Sequence, residues 1–236
     1  MPLTWENAEG EVEEIPNPVQ VFSAFCVCYP DDGTPSFPER VARENAGPPV
    51  CNQIRDVDID AAKRLGARNN VPGGLPAVLE GHRNAIGNRV SPTWRLFQAG
   101  DAEWENEFRP PVRSLLQYFL GIHGLGIASA TKLLWLKRPH LIPICDSFVL
   151  ENLVGGGQGV ERALECISRI REIGRDGDNP AALDEVKDRL DDHPNGEEEE
   201  EDAYYDLQRL RILEALIWFH CKKKERRRYY GLLGGV

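Results

Sequence analysis

The sequence predicts an all-α fold, and three observations support this. Apolar residues recur at the spacing of an amphipathic helix in several stretches, for example at Ile127, Ala130, Leu133 and Leu134. Breaks rich in glycine or proline separate these stretches. No stretch combines strict alternation of polar and apolar residues with hairpin turns, which is the pattern of a half-buried strand.

The first half of the chain is predicted to hold an arm and then a series of helices. Residues 1–17 are acidic and contain prolines, so we expect a flexible arm. Helices are expected at residues 19–25, at 39–45, within 51–68 and at 76–86, the third of them capped by Asp56 or Asp58. Pro110 and Pro111 are expected to stop one helix and to begin another, which leads to Leu120.

The second half is predicted to be helical as well. A helix is expected from Ile127 until Pro139 ends it, and further helices at 147–154, 159–173, 180–190 and 203–221. We therefore expect one helical domain over residues 18–221, with a hairpin motif at 114–136 and an acidic loop at 191–202. A basic tail at 222–236 comes last. Its cations either hold phosphates or form the solvated end of the last helix.

The charge of the chain is unevenly distributed. The 236 residues carry a net charge of −10, which by itself disfavours a nucleic-acid partner. Five glutamates in residues 1–14 and eight acids in residues 191–202 account for thirteen negative charges, so the remainder carries +3. Between residues 109 and 149 five basic residues stand against one acid, which gives a local charge of +4. A mildly basic body with two acidic segments is therefore expected.

The cysteines predict a reduced, metal-free protein. None of the six cysteines forms a C-x-x-C pair, and no spacing of histidine and cysteine is typical of zinc. There is no apolar run of the roughly 20 residues that a membrane helix needs. The sequence thus predicts a cytoplasmic protein without membrane contact.

Two glycines form the most informative motif, Gly124-Leu125-Gly126, which stands between two apolar helical runs. Glycine takes positive φ without steric cost, so this spacing predicts a tight helical hairpin. Backbone N–H groups at such a turn, followed by a helix N-terminus, form an anion site. A helical hairpin can also be only a packing corner. Asp146 stands 22 residues after Gly124 and directly before an apolar helix, where an aspartate is a favoured N-cap.

The hairpin and the aspartate resemble the helix-hairpin-helix DNA glycosylase superfamily, the group of endonuclease III and oxoguanine glycosylase. That group carries roughly L-P-G-V-G-x-x-T-A, an apolar helix and a loop ending in V-D-T. Here residues 122–130 read IHGLGIASA and residues 144–147 read ICDS. The resemblance covers residues 109–153. It implies a two-lobed helical fold with a central cleft, and a DNA glycosylase that removes a damaged or modified base from double-stranded DNA, in repair or in defence against phage.

The resemblance also implies a set of site residues. Asp146 is the expected catalytic carboxylate, which stabilises the positive charge that builds on the sugar. The DNA backbone is expected at the hairpin, on His123, Gly124, Leu125, Gly126, Ala128, Ser129 and Lys132. The flipped base is expected between aromatic side chains such as Tyr118, Trp135 or Trp218. Asn52, or the pair Asn69-Asn70, is expected to fill the gap that the base leaves.

Three departures from the group's pattern refine this expectation. Ala128 stands where bifunctional members carry the Schiff-base lysine, so the resemblance implies a monofunctional enzyme that leaves the strand intact. Lys132 lies one turn later and is either a substitute nucleophile or a solvated, phosphate-facing lysine. His123 replaces a proline, and Glu151 replaces an arginine of endonuclease III.

The expected cofactors and partners follow from the same resemblance. The C-x6-C-x2-C-x5-C cluster motif of several relatives is absent, so no iron–sulfur cluster is expected, and the one optional ligand is a monovalent cation at the hairpin. A monomer acting on DNA is expected. Two rival interpretations stay open: a non-enzymatic DNA-binding module that kept the hairpin, and a helical protein-interaction domain.

Overall fold

The computed structural model describes residues 1–28, 41, 42, 45, 50–67, 72–87, 89–191 and 201–222. This part of the chain is mostly helical, which confirms the predicted all-α class at that level. The helices are α1 (Pro18–Cys28), α2 (Asp56–Arg64), α3 (Gly74–Leu79), α4 (Asp101–Glu103), α5 (Arg109–Leu120), α6 (Ile127–Trp135), α7 (Ser147–Val154), α8 (Val160–Arg175), α9 (Asn179–Asp191) and α10 (Glu201–Cys221). Short 3-10 turns lie at Val50–Asn52 and Glu80–His82.

The predicted helix bounds hold best in the second half of the chain. The helices expected at 147–154, 159–173, 180–190 and 203–221 correspond to α7–α10, with ends that differ by at most two residues. Four of the seven residues of the expected helix at 39–45, the Asn69-Asn70 pair, most of the acidic loop and nearly all of the basic tail lie outside the described residues. None of the described helices has the length and apolar character to cross a membrane.

The N-terminal segment differs from the expected flexible arm. It forms an antiparallel hairpin of β1 (Leu3–Glu6) and β2 (Val12–Ile15), with Leu3 opposite Ile15. Leu3, Trp5 and Ile15 are buried in the core, and the Trp5 indole N–H donates to Asn152 Oδ1 at 2.8 Å. The glutamates obscured this hairpin in the sequence: Glu6 and Glu14 face solvent, but the half-buried Glu13 lies opposite Trp5 and contacts His220 Nε2 at 2.8 Å. The expectation of a loose arm is wrong for these residues.

The proline pair also behaves differently from expectation. The backbone stays helical from α4 through a π-helical segment, Trp104–Phe108, into α5. The Arg109 N–H donates to the carbonyl of Trp104, five residues back. Pro110 and Pro111 then lie in the first turn of α5. Backbone N–H groups in the first turn have no acceptor within an α-helix, so the N–H that proline lacks is not needed there. The expected stop after Phe108 is therefore replaced by a π turn.

The two ends of the chain pack together. Helix α1 contacts α9 and α10, and α10 contacts α7 and α8. In the middle of the chain α2 contacts α3 and α6, while α5 contacts both α6 and α8. Along the chain, α6 is followed by the loop that precedes α7.

Two cations expected at the surface are in the core. Lys137 and Arg138 are each 1% exposed. Lys137 Nζ lies 2.5 Å from Asp58 Oδ2, and burial lowers the pKa of Lys137 to about 8 despite this partner. Arg138 donates to the carbonyls of Val90 and Cys51, both at 2.7 Å. The local charge of +4 is therefore not a surface charge, and these two residues hold the middle of the chain together.

Candidate active site

The hairpin has the geometry that its glycines predict. Gly124 has a φ of +86°, in the region that favours glycine, and the Leu125 N–H donates to the Ile122 carbonyl at 3.1 Å. Gly126 is the N-cap of α6, and no side chain caps that end of the helix. His123, Gly124 and Gly126 are exposed, whereas Leu125 and Ser129 are buried and Ala128 is half-buried. The hairpin therefore offers backbone and a histidine to a ligand.

Asp146 is the N-cap of α7. Its Oδ1 accepts from the N–H groups of Phe148 at 3.0 Å and Val149 at 3.1 Å. These two bonds engage only Oδ1 and hold the carboxylate at the helix end. The capping role and a chemical role are thus compatible in one side chain.

The loop that carries Asp146 is fastened on two sides. The Cys145 N–H donates to Thr131 Oγ1 of α6 at 3.1 Å, and that hydroxyl donates to the Ile127 carbonyl at 2.8 Å. The Ile144 N–H donates to Glu214 Oε2 of α10 at 2.6 Å. Glu214 is buried and is held in turn by Arg211. The position of Asp146 is therefore set by the hairpin helix on one side and by the last helix on the other.

The surroundings of Asp146 raise its pKa overall. Burial raises the pKa of Asp146 above its ordinary value. Hydrogen bonds from the backbone of Val149 and Phe148, the positive charge of Lys132 and a hydrogen bond from the Trp218 indole act in the opposite direction. A carboxylate that is desolvated but held by donors and a nearby cation is typical of a reactive group.

Aromatic side chains lie beside this carboxylate, and a cation lies over one of them. Trp218 of α10 is half-buried and meets Phe148 edge to face, with ring centres 6.4 Å apart. Lys222 Nζ lies 4.3 Å from the centre of the Trp218 ring. Phe148 is 41% exposed, which is unusual for so large an apolar side chain. Trp218 was expected at the base pocket, and the structure does bring it to Asp146.

Lys132 is not the solvated lysine that the sequence suggested. It is 8% exposed, and its charge acts on Asp146. A Cβ built on Gly66, just after α2, would lie 3.6 Å from Lys132 Nζ. The amine therefore lies at the junction of α2, α6 and the Asp146 loop. The expectation of a solvated position is wrong because the neighbouring chain segments cover the helix face that carries it.

Three other candidates lie elsewhere. Trp135 is fully buried with the Arg211 guanidinium 5.4 Å from its ring centre, so it is a core residue and cannot stack on a base. Asn52 Oδ1 accepts from Arg138 at 2.8 Å, which ties Asn52 to the core rather than to a DNA gap. Tyr118 lines a different pocket, and neither Asp146 nor Trp218 lines it.

Sequence reasoning missed Phe148, Lys222, Thr131 and Glu214 as parts of this site. Phe148 and Lys222 carried a weak signal, because an aromatic residue stands two positions after Asp146 and a cation directly follows α10. Thr131 and Glu214 carried no such signal, because the partner of a polar residue within an apolar helix is determined by the packing of the helices and not by the local sequence. Among the described residues no group of three His, Cys, Asp or Glu side chains is placed to hold a metal ion, and a cation at the hairpin stays a prediction.

Comparison with known proteins identifies the family to which the chain belongs. Neither the curated proteins nor the solved structures contain a match to this chain. A family model matches residues 32–221, which is most of the chain and includes the hairpin, Asp146 and α10. The chain belongs to the family described as "Family of unknown function (DUF6308)".

Proposed function

We propose that this protein is a monofunctional DNA glycosylase. The observation that carries the proposal is Asp146, a half-buried carboxylate fixed at a helix N-terminus beside Lys132 and Trp218, 22 residues after the hairpin glycine. Its substrate is a damaged or modified base in double-stranded DNA, removed in repair or in defence against phage with modified DNA.

The chemistry asks for a fixed negative charge. As the bond between the sugar C1′ and the base nitrogen breaks, the base leaves with the bonding electrons and positive charge builds on the sugar. An ionised Asp146 stabilises that charge and orients a water, whose oxygen bonds to C1′. One proton of the water reaches the departing base, and the products are the free base and an abasic site in an unbroken strand. The half-buried setting strengthens the attraction because little water screens it.

The packing of the helices is consistent with two lobes around a cleft. One lobe would combine α1 with α7–α10 and the other would hold α2, α3 and α6, while α5 joins the two because it contacts both α6 and α8. Lys132 then lies where the two groups meet, between Gly66 and Asp146. A nucleotide flipped out of the duplex would enter beside Trp218 and Phe148, because the bond that is cleaved cannot be reached inside the base stack.

Backbone contacts would come from the hairpin. The uncapped N-terminus of α6 and the exposed Gly124 and Gly126 present N–H groups without side chains in the way. Such contacts position the duplex without reading its sequence. Ala128 has no amine, which supports hydrolysis without strand cleavage.

Free-base release tests the proposal. The protein is incubated with a panel of duplexes that carry damaged bases and with naturally modified viral genomes, and the soluble fraction is analysed by mass spectrometry. We expect one class of base to appear and the same incubation with Asp146→Asn to release none. Release of no base from any DNA, together with salt-dependent DNA binding, would instead support the non-enzymatic binding module. Absence of DNA binding would support the protein-interaction domain.

A further inference from the structure

A pocket lies beside the hairpin, and none of the residues that surround Asp146 lines it. It has a volume of about 520 Å³ and is lined by Val78, His82, Tyr118, Gly121, Ile122 and His123. The last three residues lead directly into the Gly124 turn. The volume falls in the range of small-molecule sites, which is roughly 300–1,000 Å³.

The polar groups of this pocket are ordered by one another. His82 Nδ1 and the Tyr118 hydroxyl are joined by a hydrogen bond of 2.8 Å, and the two rings meet edge to face. In the tautomer whose Nδ1 accepts from the Tyr118 hydroxyl, the His82 ring carries its proton on Nε2, and that N–H can donate to a ligand. The Arg89 guanidinium lies 5.1 Å from the centre of the Tyr118 ring. These contacts hold the Tyr118 ring, the His82 imidazole and the Arg89 guanidinium side by side.

The charge of the pocket favours an anion. None of the residues that line it is acidic. The nearest carboxylate along the chain is Glu80, which is paired with Arg83. His123 lines the pocket and is exposed, and the exposed Arg89 lies over the Tyr118 ring that lines it, so both side chains can offer N–H donors to an oxyanion there.

We propose that this pocket binds a nucleotide, with its base against the Tyr118 side and its phosphate on Arg89, His82 and His123. A flat aromatic group and an anion on one ligand match a ring face beside cationic and imidazole donors. The nucleotide is either free or part of a DNA strand held at the neighbouring hairpin. The pocket does not use Asp146, so its occupancy is independent of base removal.

The test is a titration of isotope-labelled protein followed by NMR. The ligands are dAMP, deoxyadenosine, inorganic phosphate and a short single-stranded oligonucleotide, and the reported signals are the amides of residues 121–123. We expect dAMP to shift these signals, and deoxyadenosine and phosphate each to bind about tenfold more weakly, since each lacks either the charged contact or the stacking. Tighter binding of the oligonucleotide than of dAMP identifies a strand as the occupant, and the reverse order identifies a free nucleotide.

Variants localise the site without threatening the fold. Arg89→Ala and His123→Ala change exposed side chains, and we expect each to weaken dAMP about tenfold. Arg162→Ala, which removes an exposed arginine paired with Glu165 on α8, is the matched control and should leave the affinity unchanged. Asp146→Asn should also bind dAMP normally, so failure of the glycosylase proposal leaves this test intact. Equal binding of phosphate and dAMP, or equal loss in the control, would overturn the nucleotide site.

Discussion

At the scale of single residues, Asp146 is both a cap and a desolvated charge, and these roles differ in their effect on stability. Its pKa is raised in the folded protein, so over the range above the ordinary aspartate value the native state holds the proton more tightly than the unfolded chain. The free energy of unfolding therefore falls as pH rises through the folded pKa. Asparagine keeps the capping oxygen and carries no charge.

We expect Asp146→Asn to be more stable than the wild type at neutral pH, with the difference shrinking as the pH falls below the folded pKa. Denaturant unfolding of both proteins over a pH series measures this. An ordinary exposed cap has the opposite behaviour, because the helix end stabilises its charge. An asparagine variant that loses stability relative to the wild type as pH rises would show that Asp146 is only such a cap.

Lys132 decides whether the proposed enzyme also cuts the strand. The amine is nearly buried at the junction of α2 and α6, and Ala128 leaves no amine at the hairpin. We expect borohydride to trap no covalent complex with abasic DNA, and the strand to stay intact after base release. A trapped complex that disappears in Lys132→Met but persists in Lys63→Met, an exposed lysine of α2, would make Lys132 a substitute nucleophile.

At the scale of the element, substitutions of the two hairpin glycines are expected to have different effects. Gly124 needs its positive φ, so Gly124→Ala is expected to destabilise the fold by about 1–2 kcal/mol. Gly126 has a φ of −90°, and a Cβ there would meet nothing within 4 Å. Gly126→Ala should therefore cost under about 1 kcal/mol and yet weaken DNA binding, because the methyl group would keep a phosphate from the helix end.

Unfolding curves and DNA affinity of the two variants separate these effects. Gly100→Ala is the control for the second, since Gly100 is another extended N-cap with open space at its Cβ position. Equal DNA affinity of Gly126→Ala and Gly100→Ala would remove the hairpin from the interface.

At the scale of the whole molecule, the question is which basic residues can supply the positive charge for DNA binding. Lys137 and Arg138 are buried, and Arg109 and Arg113 are paired with Glu105 and Glu161. The basic run of the tail begins at Lys222, which lies over Trp218 beside Asp146. In the sequence, the run from Lys222 to Arg228 carries six basic residues and one acid.

We expect replacement of the five basic residues between 223 and 228 by alanine to flatten the salt dependence of DNA binding. If all five hold phosphates, the slope of log K against log salt should fall by about 4. Replacing Arg162 and Arg169 of α8, which are paired with glutamates, should leave the slope unchanged. An unchanged slope in the tail variant would show a solvated helix end instead.

The sequence predicted those parts of the molecule that local patterns determine. Helix α7 and its cap Asp146 were expected at the positions where they lie, because an apolar run directly follows an aspartate. The burial of Lys137 and Arg138 was not foreseen, since their partners, Asp58, Val90 and Cys51, are 48–87 residues away. Likewise, Trp135 and Trp218 look alike in sequence, and only the tertiary packing distinguishes the fully buried Trp135 from the half-buried Trp218 at the site.

The rate of base release by matched aspartate variants tests the central claim most directly. Asp178 precedes α9 as Asp146 precedes α7, but it is exposed. Under single-turnover conditions on the substrate found in the panel, we expect Asp146→Asn to lose about 10²-fold or more in rate while retaining DNA binding, and Asp178→Asn to match the wild type. Equal rates in Asp146→Asn and the wild type would contradict the account.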